Sequence, residues 1–274
     1  MSLGQAIVLG IVQGLTEFLP ISSSGHLRVV PAFLGWEDPG AAFTAVIQLG
    51  TMAAVLLYFR RDLVRIATAW LASLRDRERR SELDARLGWY LIVGTVPIVI
   101  FGVAFKHQIE NGARDLYLIG TMLVAFGLVL LAAEALSRRD RDISTITRRD
   151  AVAVGLAQAL ALVPGVSRSG ATISAGLVLG FDRVSAARFS FLLSVPAVVL
   201  SGLYELKDVV NGTAEGAVGV GPTAVATVLA FVTGYASIAF LLRFLTTHST
   251  ALFVGYRVVL GSAVLALAAT AAIS

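Results

Sequence analysis

The chain carries at residues 13–26 the stretch QGLTEFLPISSSGH, which places a carboxylate, an imidazole and three serine hydroxyls inside hydrophobic sequence. A second stretch, QALALVPGVSRSGAT at residues 158–172, places an arginine and further hydroxyls in a similar setting. Ionisable groups at membrane depth cost about 2.5–3.5 kcal/mol on insertion scales, so they usually mark functional sites. Both stretches also contain proline and glycine, which favour a break in a helix.

The composition around these stretches is that of an integral membrane protein. Hydrophobic residues make up 57% of the 274-residue chain, charged residues only 15%, and the mean hydropathy is +0.81. A helix needs about 20 apolar residues to cross a bilayer. Six segments approach this length and are predicted to span: Ala41–Phe59, Leu87–Phe105, Leu116–Leu136, Phe189–Leu206, Thr223–Leu242 and Ala251–Ala272.

Two further apolar segments, Leu3–Leu19 and Ala151–Val163, are interrupted by polar residues and end at prolines. We expect them to be half-helices that enter the membrane and turn back, broken by Pro20, Pro164 and Gly165. The predicted fold class is therefore an all-α polytopic membrane protein, with six transmembrane helices and two re-entrant helix-loop-helix units.

The distribution of arginine predicts the orientation of the chain. Eight arginines lie in the Arg60–Arg86 connection and five in the Arg138–Arg149 connection, whereas Lys106–Asp115 and Lys207–Pro222 are poor in Lys and Arg. The positive-inside rule places the first two connections in the cytoplasm and the other two outside. Both termini are then expected outside. The same rule explains the net charge of +4 without a nucleic-acid partner.

The two polar stretches are related by a constant offset of 145 residues. The matched pairs are Gly10/Gly155, Gln13/Gln158, Leu15/Leu160, Ser22/Ser167, Ser24/Ser169 and Gly25/Gly170. With one re-entrant unit and three spans in each half, the second copy starts on the opposite side of the membrane. We therefore predict one integral membrane domain, residues 1–274, made of inverted repeats at residues 1–137 and 151–274. Broken segments of such repeats tend to meet near the midplane.

The copies differ where chemistry would require it, because Glu17 aligns with Leu162 and Ser23 aligns with Arg168. One half keeps the acid and His26, and the other keeps the cation. A duplication that served only packing would not need this division.

These residue types describe a site for a phosphate or a diphosphate. Gln13 and Glu17 lie four residues apart, on one helical face, and suit Mg²⁺ or Ca²⁺ shared with phosphate oxygens. Arg168 presents a planar fork to phosphate oxygens, and the backbone N–H groups at the start of the second half-helix also favour anions. The hydroxyls expected to support phosphate binding are those of Ser167, Ser169 and Thr172.

The serines of the first stretch are candidate nucleophiles. If Ser23 starts a half-helix, His26 lies on its face at i+3 and could handle a proton for it. Simpler explanations stay open: serine capping of a half-helix, an interfacial hydrogen bond for His26, and a structural salt bridge between Arg168 and Glu17. Arg257, near a span end, is read as a side chain that snorkels to the cytoplasmic surface.

Taken together, the two stretches resemble the motifs of bacterial undecaprenyl-diphosphate phosphatases of the bacitracin-resistance type. The first motif is matched from Gln13 to His26 and the second from Pro164 to Thr172. The resemblance extends over essentially the whole chain. One departure is Gln13, where many family members have a second glutamate.

The resemblance implies an enzyme of the bacterial plasma membrane that removes the terminal phosphate from undecaprenyl diphosphate and returns the lipid carrier to cell-wall synthesis. It implies bacitracin resistance, a polyprenyl diphosphate and membrane lipids as partners, and allows a homodimer. By this resemblance Glu17, Ser23, His26 and Arg168 are catalytic, with Ser23 the nucleophile and His26 its proton partner. Gln13 and Glu17 lie near the metal, and Ser22 joins Ser167, Ser169 and Thr172 as a supporting phosphate donor.

Two alternatives stay open. Water could attack the phosphate directly, with His26 or Glu17 as base. The chain could also be a polyprenyl-phosphate transporter or flippase that uses the same phosphate site, because inverted repeats with broken helices are typical of transporters. The absence of cysteine excludes thiolate catalysis and thiolate metal sites.

Overall fold

The computed structural model describes residues 1–105, 115–210, 219–270 and 272–273, and within them the fold is all-α, without a β-strand. The helices are α1 (Leu3–Phe18), α2 (Ser23–Leu34), α3 (Gly40–Tyr58), α4 (Arg60–Arg75), α5 (Leu83–Ala104), α6 (Leu116–Leu136), α7 (Arg148–Leu160), α8 (Arg168–Val178), α9 (Arg183–Val210), α10 (Val220–Phe244) and α11 (Ala251–Ala269). Short 3₁₀ turns lie at Glu78–Ser81 and Ile143–Thr145. The predicted all-α membrane class is confirmed.

Among the described residues, five helices are long and apolar enough to cross a membrane: α5, α6, α9, α10 and α11. A sixth candidate is the pair α3 and α4, which together pass the same criterion but are bent by 73° at Phe59. The predicted spans lie on these helices. The number six is reached only if the bent pair counts as one span, so it stays a prediction.

The connection predicted between Arg60 and Arg86 is not a loop, because most of it is helical. Helix α4 buries Ile66 and packs Trp70 on Gly88 of α5, while its arginines stay exposed. Trp70 also meets Trp89 edge-on, with ring centroids 5.7 Å apart. The segment is an amphipathic helix whose apolar face packs on α5, although its arginine-rich composition suggested a loop.

Each predicted half-helix forms one arm of a helix–break–helix unit. Helix α1 ends at Phe18 and α2 starts at Ser23, while α7 ends at Leu160 and α8 starts at Arg168. The second entering helix thus ends four residues before Pro164, because tight turns through Leu162 and Val163 replace its last helical bonds.

Arg141 shows that the second unit turns back on itself. Its guanidinium pairs with Asp150 at the start of α7, with Nη2 2.7 Å from Oδ2, and donates at 2.8 Å to the carbonyl of Leu179 at the end of α8. The start of the entering helix and the end of the returning helix therefore lie side by side. This is the geometry expected of a re-entrant segment.

The entering helices pack in reciprocal fashion, because α1 lies against α10 and α7 lies against α5. Each contact uses the glycine of one repeat pair. A Cβ added to Gly10 would come within 2.4 Å of the carbonyl oxygen of Ala226, and one added to Gly155 within 2.3 Å of that of Gly94. Only glycine permits such close helix contacts. The inverted repeat itself stays a prediction.

Candidate active site

The two breaks lie against each other in the interior, although 145 residues separate them in sequence. The hydroxyl of Ser169, in the first turn of α8, donates at 2.9 Å to the carbonyl of Leu19 in the first break. Next to the first break, the ring of Phe18 packs edge-on against the ring of Phe191 on α9, with ring centroids 5.5 Å apart. The chain therefore brings the polar stretches of both halves to one place, as the sequence predicts.

The same backbone device starts the returning helix in both halves. Ser22 has φ of 76° and Ser167 has φ of 71°, a left-handed region that non-glycine residues rarely adopt. Each serine Oγ then accepts the backbone N–H of the glycine three residues on, at 3.4 Å for Gly25 and 3.1 Å for Gly170. Each Oγ also lies 3.2–3.3 Å from that of the next serine but one. Two helix N-termini thus face the same region, which favours an anion there.

The carboxylate of Glu17 connects the two halves at this point. Its Oε2 accepts the Ser23 hydroxyl at 2.6 Å, and its Oε1 accepts Arg168 Nη2 at 2.5 Å. The side chains of Glu17 and Arg168 are 8% and 17% exposed, and Ser23 is half-buried. A nucleophile candidate, a base next to it and a cation that suits phosphate are therefore within contact of one another, still reachable from outside.

The salt bridge that the sequence left open for Arg168 does form. A buried ion pair by itself is weak evidence for a stabilising role, because desolvation offsets much of the attraction. Here the pair has a further member, since Ser23 shares the same carboxylate. A structural salt bridge alone does not require that third group.

Of the remaining predicted phosphate ligands, some cap a helix and others contact neighbouring parts of the fold. Ser22 and Ser167 have their hydroxyls on the helix caps, and Ser169 donates to Leu19. The hydroxyl of Thr172 lies 2.6 Å from that of Ser190 on α9, inside the fold. Thr172 therefore contacts a neighbouring helix, while the cap serines lie beside Ser23 and Arg168.

Gln13 lies where the sequence places it, one helical turn before Glu17. Its Nε2 donates to Glu17 Oε2 at 3.1 Å, and the side chain is 1% exposed. Its Oε1 is buried with no hydrogen-bond partner among the described residues. Since Nε2 is the atom that faces the carboxylate, a cation held by both side chains requires the Gln13 amide to turn over and present Oε1 to it. Within the described part of the chain no cluster of three His, Cys, Asp or Glu side chains is found, either at this site or elsewhere.

His26 is buried and does not contact Ser23 through either ring nitrogen. Its Nδ1 lies 2.7 Å from the carbonyl oxygen of Ser22, and its Nε2 lies 2.6 Å from the hydroxyl of Tyr256. The group nearest to the Ser23 hydroxyl is therefore Glu17. The role of His26 as proton partner of Ser23 stays a prediction.

Residues 6–263 match the family model described as bacitracin resistance protein BacA. The chain belongs to this family. It is 59% identical over 270 residues to the undecaprenyl-diphosphatase of a Nocardioides species, with 98% of each chain covered. It is also 57% identical over 271 residues to the undecaprenyl-diphosphatase of Mycolicibacterium smegmatis, again with 98% of each chain covered.

A third relative, undecaprenyl-diphosphatase 2 of Streptomyces avermitilis, is 52% identical over 286 residues, which cover all of this chain and 97% of the relative. Family membership therefore extends over both polar stretches and nearly all of the helices described above. It agrees with the resemblance that the motifs carry.

In this BacA-family chain one buried residue at the site escaped the sequence reasoning. Arg257 does not snorkel to the surface, because its exposure is 0% and its guanidinium points into the two breaks. It donates five hydrogen bonds of 2.9–3.2 Å, all to backbone carbonyls, namely those of Pro20, Met122, Leu123, Gly165 and Val166.

The buried guanidinium compensates the backbone groups that the broken helices leave without partners. One side chain of α11 thus holds the first break, the second break and α6 together. The available signal was an arginine inside an apolar run. The sequence does not reveal that its partners are carbonyls, because carbonyls carry no residue identity.

Proposed function

We propose that this BacA-family chain is an undecaprenyl-diphosphate phosphatase, which hydrolyses the lipid diphosphate to the lipid monophosphate and inorganic phosphate. The observation that carries the proposal is the Glu17 carboxylate, which accepts Ser23 from its own half and Arg168 from the other. The names of the relatives, at 52–59% identity over nearly the whole chain, support the same substrate.

In the first step Ser23 attacks the terminal phosphorus. Glu17 takes the hydroxyl proton across the 2.6 Å hydrogen bond, the bond from Ser23 Oγ to phosphorus forms, and the bridging oxygen leaves with the lipid monophosphate. Glu17 thus acts as the base for Ser23. In the free protein the same carboxylate also contacts Arg168.

Arg168 changes partner when substrate arrives. Its guanidinium forms an ion pair with Glu17 in the free protein, and the diphosphate offers it oxygens of higher charge. The helix starts at Ser23 and Arg168 add backbone donors around the same anion. These groups stabilise the charge on the transferring phosphoryl, which is where an enzyme of this kind lowers its barrier.

Gln13 and Glu17 would hold a Mg²⁺ or Ca²⁺ ion. Such an ion supplies positive charge next to the phosphate oxygens. The unpartnered Gln13 Oε1 supports this assignment, since a neutral amide oxygen is an acceptable ligand for either cation.

In the second step water cleaves the phosphoserine. The oxygen of water bonds to phosphorus and the bond from phosphorus to Ser23 Oγ breaks. The proton on Glu17 returns to Ser23 Oγ. His26, on the same turn of α2, is proposed to accept the proton of the attacking water. Direct attack by water on the substrate is the alternative, and it would leave no phosphoserine.

The isoprenoid tail is proposed to lie in an apolar cavity of about 640 Å³ between α5, α6 and α7. Its lining includes Phe101, Phe105, Leu160 and, at the second break, Val163 and Pro164. Pro164 precedes Arg168 by four residues, so a tail in this cavity would start close to the phosphate site. This position agrees with a substrate that enters from the membrane.

We propose the bacterial plasma membrane as the location, with both termini outside, on the basis of the arginine distribution described above. The partners are then the polyprenyl diphosphate and membrane lipids. The proposed site is complete within one chain, so a homodimer would carry two sites.

The decisive experiment is phosphate release by the purified protein in detergent with undecaprenyl diphosphate. We expect stoichiometric release of inorganic phosphate, loss of release with EDTA, and recovery with Mg²⁺ or Ca²⁺. Binding of the lipid without release of phosphate would contradict the enzyme and support the transporter. Unchanged release in EDTA would contradict the metal assignment alone.

A further inference from the structure

Tyr256 meets the imidazole that the proposed mechanism uses. Its hydroxyl lies 2.6 Å from His26 Nε2, and the two rings are stacked, with planes 7° apart and centroids separated by 5.5 Å. His26 is 5% exposed and Tyr256 is 45% exposed. The tyrosine thus stands between a buried imidazole and the outside of the protein.

The hydrogen bonds fix which nitrogen of His26 carries the proton. The carbonyl of Ser22 can only accept, so Nδ1, 2.7 Å away, must be the N–H donor. In the neutral ring Nε2 then holds the lone pair, and the Tyr256 hydroxyl donates to it. Tyr256 therefore marks Nε2 as the basic nitrogen of the imidazole.

The same contacts link Tyr256 to the proposed nucleophile. His26 holds the carbonyl of Ser22, the residue with positive φ that immediately precedes Ser23. Arg257, the next residue on α11, holds the carbonyl of Pro20 in the same break. Two consecutive residues of α11 thus approach the first break, one through an imidazole and the other directly.

We propose that Tyr256 is a positioning residue that acts through His26. The Ser22 carbonyl fixes the Nδ1–H tautomer, and the Tyr256 hydroxyl, which donates to Nε2, holds the ring in position until water takes its place at Nε2 and cleaves the phosphoserine. The catalytic part of this inference rests on the proposed function, whereas the tautomer is a property of the protein alone.

The first test is kinetic. Tyr256→Phe keeps the ring and removes the hydroxyl, so kcat should fall by roughly three- to tenfold, the range of one neutral hydrogen bond, with KM within about twofold. Tyr117→Phe is the matched control, because Tyr117 also donates one hydrogen bond, but its acceptor is the backbone carbonyl of Ala268 of α11, away from the site. It should keep wild-type kcat.

A double-mutant cycle separates positioning through His26 from any other role of Tyr256. In a His26→Asn background, Tyr256→Phe should have no further effect on kcat. A fall of the same size in both backgrounds would overturn the proposal, since the hydroxyl would then act elsewhere.

The second test needs no turnover. In protein labelled with ¹⁵N-histidine, the signals lost in His26→Asn identify His26. We expect the pattern of an Nδ1–H imidazole, and we expect Tyr256→Phe to shift the unprotonated Nε2 signal. An Nε2–H pattern, or an Nε2 signal that Tyr256→Phe leaves in place, would overturn the proposal even if the variants lack turnover. Absence of phosphate release by the wild type would contradict the proposed function and leave this test intact.

Discussion

The two breaks have the same backbone and different chemistry. Both start a helix at a residue that follows a serine with φ of 71–76°, and both cap that helix with the serine hydroxyl. Yet the residue that starts the helix is Ser23 in one and Arg168 in the other, and Glu17 has Leu162 as its counterpart. The geometry of the helix start is therefore present twice, whereas each of the proposed reacting groups is present once.

This difference assigns the residues to two kinds of task. Ser22 and Ser167, which are alike in the two halves, shape the backbone. Under the proposed function, residues that differ, such as Ser23 and Arg168, supply the nucleophile and the positive charge. Substitutions that exchange or equalise the halves therefore test the division.

The largest effect is expected at Ser23. Ser23→Ala should lower kcat by at least about a thousandfold, because the nucleophile is removed. Substrate labelled in the terminal phosphate should leave label on the wild-type protein and none on this variant. Ser24→Ala serves as the control, since Ser24 is exposed and should keep most of the activity. Substantial turnover by Ser23→Ala would favour direct attack by water.

The ion pair between the halves should come next. Glu17→Gln and Arg168→Ala should each lower kcat by at least about a hundredfold, since one removes the base and the other a donor to the transition state. Leu162→Met, at the counterpart of Glu17, should stay within about threefold of wild type, as should Glu37→Gln on the exposed surface. Near-normal phosphate release by Glu17→Gln would exclude the assigned site. Elution as a single species from size exclusion in detergent would show that each variant is folded.

Substitution of Arg257, which binds carbonyls of both breaks, should have an intermediate effect. Arg257→Lys cannot reach five carbonyls, and each buried carbonyl left without a donor costs about 1–3 kcal/mol. We expect a lower unfolding temperature and a kcat reduced by roughly ten- to a hundredfold. Arg243→Lys, on an exposed position of α10, is the control and should change neither quantity. Equal thermal stability of Arg257→Lys and wild type would contradict the role given to Arg257.

The smallest effect is expected for glycine substitutions that change only how helices of the two halves pack. Gly10→Ala and Gly155→Ala each force a backbone contact apart, and overpacking of this kind costs about 1–3 kcal/mol of unfolding free energy. Gly221→Ala, which has nothing within 4 Å of its added Cβ, is the control. Thermal unfolding in detergent measures all three. If only one of the first two variants is destabilised, the halves do not pack equivalently and the repeat loses support.

Much of this fold could be predicted from the sequence, because polar residues are rare in apolar membrane segments and are easily recognised there. Helix α6 has the predicted bounds, and α2 starts at Ser23 as expected. The proximity of Glu17 and Arg168 followed from the offset between the two polar stretches. In each case the signal was local, either a run of apolar residues or a motif.

The parts that the sequence did not reveal depend on backbone carbonyls, which carry no residue identity, or on contacts between residues far apart in the chain. Arg257 binds carbonyls 91–237 residues away, and Tyr256 meets His26 across 230 residues. Helix α4 was hidden for another reason, since its arginines suggested a loop while its apolar face packs on α5. Neither spacing nor composition predicts which backbone groups a broken helix leaves without partners.

The position of Arg257 also sets a time order for biosynthesis. Pro20, whose carbonyl it binds, precedes it by 237 residues. At synthesis rates of about 5–20 residues per second, the first break waits roughly 12–50 seconds for the guanidinium that completes it. During that interval Glu17 and Ser23 already lie in the nascent chain, but neither Arg168 nor Arg257 is present at first. The first break therefore gains this guanidinium only once synthesis has reached α11.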